Sequence, residues 1–316
     1  MSEGSDKTSA APKVRKVKVP DDFTGQRLDN FLMRELKGVP RSMIYRLIRR
    51  GEVRVNGGRA KPERKLQTQD EVRLPPVRVA KSKPAPALSA PLVARLRNAV
   101  LYEDRDVLVL NKPAGLAVHG GSGERQGVIE MLRSIRPEGG ALELVHRLDK
   151  GTSGCLLVAK RRPALRALHG ALRDGGVGKH YTALVSGEWP ASNQHIKAPL
   201  TRNVLRSGER VVTVDEQGKF ALTEVRVRVA NSTASLLQVR LHTGRTHQIR
   251  VHATYAGHPL AGDDKYGDPG FNKRMSALGL KRMFLHANRV EFGDILVTAP
   301  LPDDLESLLQ RLNLDL

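Results

Sequence analysis

Apolar residues recur at helical spacing early in the chain and at strand spacing through much of the rest. Leu28, Phe31, Leu32 and Leu36 share one face at a period near 3.6 and predict a helix. Val39-Pro40-Arg41-Ser42 breaks that helix and starts another, in which Ile44, Leu47 and Ile48 line one side. Arg41, Arg46, Arg49 and Arg50 are left for the other side, and Gly51 stops the helix. Val53-Arg54-Val55 alternates like a strand, Asn56-Gly57-Gly58 turns it, and Glu71-Val72-Arg73-Leu74 reads as a second strand. Pro75-Pro76 closes this unit. Residues 77–97 hold Lys81, Lys83, Pro84, Pro86 and Pro91 among small residues and read as a semi-extended linker. Beyond about residue 98, strands are expected at 107–111, 156–160, 181–186, 222–229, 235–241 and 289–292. Ala230-Asn231-Ser232-Thr233-Ala234 is a hairpin-length connection, so the sheet is expected to be mixed and largely antiparallel, not doubly wound. The expected class is α+β: a domain over 15–76, the linker over 77–97 and a larger domain over 98–316.

Charge adds the partner class. Lys and Arg number 53 against 33 Asp and Glu, a net +20 in 316 residues, which predicts a polyanionic partner. Nucleic acid fits better than membrane, because no run of about 18 apolar residues exists to span a bilayer. Residues 1–14 are small, polar and Lys-containing; they read as a disordered tail and not as a secretory signal. Cys155, the only cysteine, sits in an apolar run. It is expected to be inert packing in a reducing cytoplasm.

Four segments carry candidate chemistry. Val145-His146-Arg147-Leu148-Asp149-Lys150-Gly151-Thr152-Ser153-Gly154 sets one carboxylate between two cations, at the lip of a buried strand. Such an acid can serve as nucleophile or base, or it can be a structural ion pair that pins a loop. Asn111-Lys112-Pro113-Ala114-Gly115 through Gly121 is a glycine-rich loop after a strand. It lacks both the Walker pattern and the dinucleotide glycine spacing, so no nucleotide cofactor is expected. Tyr181 opens an apolar strand; it could stack on an unpaired base or pack in the core. Finally, a helix is expected from about Thr246 to Ala256, stopped by Gly257, with Arg245 at its N-terminus. The helix macrodipole disfavours a cation there unless an anion offsets it. His242, His247, His252 and His258 include no His-x-x-x-His pair and no cysteine accompanies them, so no metal is expected. Ser153 lacks a Gly-x-Ser-x-Gly elbow.

Over roughly residues 20–75, Arg27-Leu28-Asp29, Arg41-Ser42, Ile48-Arg49-Arg50-Gly51, Val53-Arg54-Val55-Asn56-Gly57 and Lys65 resemble the S4 RNA-binding domain. That likeness implies phosphate contacts from Arg41, Arg46, Arg49, Arg50, Arg54 and Lys65. From about Leu101 to Pro300 the chain resembles the pseudouridine synthases of the family named for the ribosomal large-subunit enzyme A. His146-Arg147-Leu148-Asp149 with Thr152-Ser153-Gly154 is the most specific match. Asn111-Lys112-Pro113, Lys179-x-Tyr181-x-Ala183-x-Val185 and Gly244-Arg245-Thr246-His247-Gln248-Ile249-Arg250 follow in that family's order. Gly38 to Arg46, Gly51 to Asn56 and Leu74 to Ala80 narrow the likeness to one S4-carrying type.

The resemblance implies isomerisation of uridine to pseudouridine in 23S ribosomal RNA, with no cofactor and no metal. Asp149 would be the essential carboxylate, acting as nucleophile at C1′ or base at C2′. Arg245 would pair with it and Tyr181 would stack on the extruded uracil. Arg147 would fill the vacated place in the RNA, and Ile249 would supply an apolar wall. The expected partner is 23S rRNA or a large-subunit precursor, met in the cytoplasm by a monomer, with no membrane involved. Two alternatives remain: a sister large-subunit synthase with other target uridines, or a non-catalytic rRNA-binding or assembly factor.

Overall fold

The computed structural model describes residues 14–36, 38–77, 88–120, 126–137, 139–192, 194–204 and 209–314. The expected tail apart from Val14, the middle of the expected linker and residue 121 of the glycine-rich loop lie outside these. The chain divides into two compact units, Met1–Pro86 and Ala87–Leu316.

The first unit runs β1 (Arg15–Lys18), α1 (Leu28–Glu35), α2 (Arg41–Arg50), β2 (Arg54–Val55) and β3 (Glu71–Leu74). Leu28, Phe31 and Leu32 of α1 meet Ile44, Leu47 and Ile48 of α2 over Val72 and Leu74, so the helical spacing names this core correctly. Gly51 ends α2 at φ +73°, in the left-handed region glycine adopts without cost, as expected for a helix stop. The strands pair antiparallel in the order β1-β3-β2. Strand β1, Arg-Lys-Val-Lys, carries almost no apolar signal; it forms by pairing with β3 and by packing Val17 against the core. Asn56 does not close a simple β2–β3 hairpin. Its side chain instead donates to Asp70 at 2.7 Å and accepts from the Glu71 amide at 2.8 Å, tying the turn to the start of a distant strand.

In the second unit the first element corrects the linker expectation. Ala90–Asn98 is a helix, α3, with Pro91 in its first turn, where a missing N–H costs nothing. Leu96 is fully buried and Leu92 packs beside it, so the end of the predicted linker belongs to the large core. There follow β4 (Val100–Glu103), β5 (Val107–Lys112), α4 (Val128–Ile135), β6 (Glu143–Leu144), β7 (Ser153–Ala159), α5 (Arg162–Arg173) and β8 (Val177–Ser186). Next come β9 (His195–Lys197), β10 (Leu200–Val204), β11 (Arg210–Val214), β12 (Leu222–Ala230), β13 (Ala234–Leu241), α6 (Gln248–Tyr255), α7 (Pro269–Ala277), β14 (Leu285–Phe292), β15 (Ile295–Thr298) and α8 (Asp303–Arg311).

Ten of these strands form one sheet, ordered β4-β5-β7-β14-β8-β13-β12-β9, with β15 on β14 and β6 on β7. Every pairing is antiparallel except β7 with β14, which makes the sheet mixed and largely antiparallel as the short 230–234 connection predicts. All seven residues of β7 are buried, as a strand covered on both faces requires. Gly154 is fixed by that parallel join: its φ is +105°, and a Cβ would stand 2.2 Å from the Ala287 carbonyl oxygen. Along β8 the faces alternate. Tyr181, Ala183 and Val185 join Leu237, Val239, Ile249 and Ala253, while Leu184 joins Leu236 and the apolar side of α7 and α8. Tyr181 is therefore turned toward α6 and the loop that precedes β7.

Candidate active site

Between that loop and α6 lies a cavity of about 510 Å³. Asp149, Tyr181, Arg147, Arg245 and Ile249 all line it, so the fold gathers every site residue expected in the second unit around one space. They come from an extended loop, a strand, and a turn running into a helix.

Asp149 stands four residues before β7, on a loop supported from within the fold. Lys112, the last residue of β5, is fully buried, and its ammonium donates to the carbonyls of Pro113 at 3.0 Å, Leu116 at 2.9 Å and Lys150 at 3.4 Å. Burial, aided by Arg282 and opposed by Asp149, pulls its pKa down to about 7. The Gly115 amide also donates to the Lys150 carbonyl at 2.8 Å, and the Thr152 amide to the Asp149 carbonyl at 3.1 Å. At the start of β7, Arg282 donates to Ser153 Oγ at 3.0 Å, and Ser153 contacts His286 Nδ1 at 2.8 Å. The glycine-rich loop is thus a backbone cradle for the Asp149 segment, which its strand-to-loop pattern did not reveal.

The partner of Asp149 is Arg250, which corrects the expected pairing with Arg245. The helix α6 begins at Gln248, later than the expected Thr246, because His247 takes φ +53° and the turn before it is looped. Gln248 organises that turn: its Oε1 accepts from Thr243 Oγ1 at 2.8 Å and from the Arg245 amide at 3.0 Å. Arg245 is left exposed outside the helix, with Nε donating to the Phe220 carbonyl at 2.9 Å. The cation inside the first turn of α6 is Arg250. Its Nη1 stands 3.4 Å from Asp149 Oδ2, and its Nε and Nη2 each donate to Asp263 at 2.7 Å. Two carboxylates thus offset the unfavourable helix position. Burial works against the Arg250 charge, but the bonds and charge of Asp263 outweigh it and raise its pKa. Burial would likewise raise Asp263, whose side chain is inaccessible, yet Arg250 holds it below the usual carboxylate range. Asp263 grips the arginine, and the arginine presents its remaining edge to Asp149.

His247 Nε2 lies 3.9 Å from Asp149 Oδ1. Tyr266 Oη accepts from the Val212 amide at 3.0 Å and shares a hydrogen bond with His247 Nδ1 at 2.8 Å, which fixes the plane of the imidazole beside the carboxylate. Burial lowers the His247 pKa, so this neutral ring orients without adding charge. Tyr181 is 6 % exposed. Burial first, and the Asp149 charge second, raise its phenol, which stays protonated. Ile249 is buried as an apolar wall, and Arg147 is exposed where it borders the cavity.

The other three histidines weighed for a metal have separate partners: His242 with Glu224, His252 with Thr223 and the Ala198 carbonyl, and His258 with the Ser186 carbonyl and Trp189. Among the described residues no group of three or more His, Cys, Asp or Glu side chains could hold a metal ion. Cys155 is buried, and burial pushes its thiol up to about 11, consistent with packing.

In the first unit Arg41, Arg46, Arg49, Arg50, Arg54 and Lys65 are all exposed. A groove of about 610 Å³ is bordered by Arg49 together with Tyr45, Arg59 and Lys61. Arg59 and Lys61 escaped the sequence reading because they lie in an irregular segment with no periodicity. The α1–α2 arrangement behind this face is set by buried Asp29, which accepts two bonds from Arg27 at 3.1 and 2.7 Å and one from Tyr45 Oη at 2.8 Å.

The RNA pseudouridylate synthase family model matches residues 106–255, and the S4 domain model matches residues 26–72. The chain is 51% identical over 320 residues to the ribosomal large subunit pseudouridine synthase C of Pasteurella multocida, covering 99% of this chain and 98% of that protein. To the protein of the same name from Escherichia coli K12 it is 52% identical over 311 residues, 95% of this chain and 97% of the other. Synthase C is also the S4-carrying type that the quoted segments resemble. A solved structure of human RNA pseudouridylate synthase domain containing 4 covers 72% of this chain and 97% of its own at a TM-score of 0.59 and 24% identity, a likeness of fold. The human domain containing 1 protein covers 68% of this chain and 88% of its own at a TM-score of 0.54 and 28% identity.

Proposed function

The chain belongs to the RNA pseudouridylate synthase family, and from that premise we propose that it converts uridines of large-subunit ribosomal RNA into pseudouridine, with Asp149 as the essential carboxylate. The observation that carries this is the facing of Asp149, held by Arg250, and Tyr181 across a cavity of about 510 Å³. That volume is within the range of small-molecule sites, and a uridine inside a stem must leave its stack to enter it, at a cost of a few kcal/mol.

The reaction is balanced within the substrate. The bond from C1′ to N1 breaks, the freed uracil turns, a bond from C1′ to C5 forms and the C5 proton is lost while N1 regains one. Asp149 acts on the ribose, as nucleophile at C1′ or as base at C2′. Arg250 orients its oxygens, and Asp263 keeps the guanidinium from relaxing toward solvent. Tyr181 offers its ring face to the turning base and Ile249 closes the cavity on an apolar side. Arg147, exposed at the cavity border two residues before Asp149, is the side chain assigned in this proposal to the gap that the base leaves in the RNA.

The direct test uses rRNA transcribed with uridine tritiated at C5, which loses tritium only when C5 bonds to the sugar. Release catalysed by the purified protein without added cofactor supports the reading; no release from any large-subunit transcript rejects it. In the same assay Tyr181→Ala lowers kcat/KM by roughly 5- to 150-fold, because stacking on a base is worth about 1–3 kcal/mol. Tyr181→Phe keeps the ring and isolates the hydroxyl. Wild-type turnover by the Ala variant would remove Tyr181 from the site.

The S4-like unit is proposed to anchor the RNA through its arginine face, with the protein acting as a cytoplasmic monomer on the large subunit or its precursor. The net charge of +20 and the exposed arginines of α2 support this. Replacing Arg46, Arg49 and Arg50 together by Gln in the full chain weakens RNA binding and flattens its dependence on salt, by a log–log slope of about 0.7–0.9 for each phosphate no longer neutralised. An unchanged slope, from equilibrium titrations at several salt concentrations, would show that this face does not touch phosphate.

A further inference from the structure

Lys179 is a half-buried cation facing the cavity, and no described residue answers its charge. It lies in β8 two positions before Tyr181, hence on the same face of the strand, and it lines the same cavity. Its ammonium rests against the Gly244 turn, where a Cβ would stand 3.5 Å from Nζ. Other inward lysines have clear partners: Lys112 has its three carbonyls, Lys160 has Glu103 at 2.6 Å and Lys265 has Glu209 at 2.6 Å. The Lys179 ammonium has no hydrogen bond or ion pair to any described residue, although its backbone is paired within the sheet.

Among the described residues no anion pairs with it. Burial alone lowers its pKa, and no carboxylate acts in the other direction. Asp149 is committed to Arg250, and Glu224 to His242 at 2.8 Å. The nearby His146 is neutral. Its Nε2 accepts the Leu157 amide proton at 3.0 Å, and burial followed by the Lys179 charge lowers its pKa to about 4. A half-buried ammonium without a counter-charge is costly in a folded protein, and an anionic ligand in the cavity would remove that cost.

We propose that Lys179 binds a phosphate of the extruded uridine nucleotide, and so anchors the flipped residue while its base lies against Tyr181. This rests on the reading that the cavity receives a uridine from RNA. The spacing suits it: two residues of strand separate Lys179 from Tyr181 by roughly 6–7 Å, comparable with the reach from a base to its own phosphate. RNA carries no other anion, and a lysine is a point charge suited to phosphate.

The test uses a short RNA that the wild-type protein converts, prepared in versions with a single neutral methylphosphonate at each position around the target uridine. Lys179→Met should raise KM about tenfold with kcat changed much less, as loss of one charge-assisted bond requires. Its salt slope should be shallower than wild type by about 0.7–0.9. Lys179→Arg should restore most of the affinity. At one position next to the target, the methylphosphonate should penalise the wild type about tenfold and the Met variant hardly at all, because both changes remove the same interaction. Lys179→Gln takes the place of Met if that variant does not fold. Equal methylphosphonate penalties in wild type and variant at every position, or a fall in kcat with KM and salt slope unchanged, would overturn the proposal while leaving the uridine reading intact. Failure of the wild type to convert any uridine would overturn both.

Discussion

Replacing Asp149 by Asn abolishes pseudouridine formation, by about 10⁴-fold or more, while folding and RNA binding stay close to wild type. The two properties separate because of how Asp149 is held. Its side-chain contacts are long, 3.4 Å to Arg250 and 3.9 Å to His247, so an amide of the same shape costs the fold little. The loop keeps its backbone bonds, Thr152 to Asp149 and Gly115 to Lys150, together with the Lys112 cradle beneath it. Arg250 keeps its two bonds to Asp263 and stays in place. What the substitution removes is the carboxylate that, among the described residues, alone lines the cavity, and with it either route at the ribose. Tritium release and a binding titration on the same preparation check both halves. Measurable turnover above about a hundredth of wild type would end the assignment, since a positioned amide cannot replace an anionic nucleophile or base.

Replacing Arg250 by Met costs both activity and stability, the latter by about 3–5 kcal/mol. It leaves Asp263 wholly inside the protein without its partner and Asp149 without its cation. Breaking one side of a buried pair is costly because the surviving charge has lost its solvent, and Asp263 would keep only the Lys265 and Tyr266 amides at 2.9 and 3.1 Å. The effect carries a pH signature. In the wild type the Asp263 pKa is held below its ordinary value, so its contribution is present above the unfolded carboxyl pKa and is lost as pH falls through the folded one. In the variant that contribution is gone, and the unpaired Asp263 is better tolerated when protonated. The gap between wild type and variant is therefore widest near pH 7 and narrows toward pH 4. Urea unfolding at the two pH values measures it, and a gap independent of pH would mean that Asp263 does not depend on Arg250. Lys at position 250 recovers part of the stability through its charge but cannot make the paired bonds of a guanidinium.

The basis of the second result marks where reading from the chain stopped. A cation at the start of the helix after β13 does need an anion, and the sequence located that helix to within two residues. Arg245 and Arg250 both lie near its start, and which of them enters the first turn depends on His247 adopting φ +53° and on Gln248 taking Oε1 bonds from the turn. Neither is a propensity of the local sequence. Asp263 was equally out of reach: it adjoins Asp264 in the chain, yet its side chain is inaccessible while that of Asp264 is 99% exposed. The linker erred in the other direction. Pro91 and small residues resemble a linker in composition, but Leu92 and Leu96 find a core to bury in, and burial outweighs composition.

By itself the sequence determined the two-helix core of the first unit, the mixed sheet of the second and the polyanionic partner, and its motifs and family resemblance singled out as candidates Asp149, Tyr181, Arg147 and Ile249, which the fold brings to one cavity. These follow from hydrophobic periodicity, turn residues, net charge and short motifs, all of which act over a few neighbouring positions. Only the tertiary structure decided that Arg250 and not Arg245 orients the carboxylate, that Lys112 supports its loop from below, and that Lys179 faces the cavity without a counter-charge. The first two join groups 101 and 38 residues apart in the chain, and the third depends on anions that the fold leaves out of reach. Local patterns carry the elements, whereas electrostatic partnership depends on distance and burial, which exist only once the chain has folded.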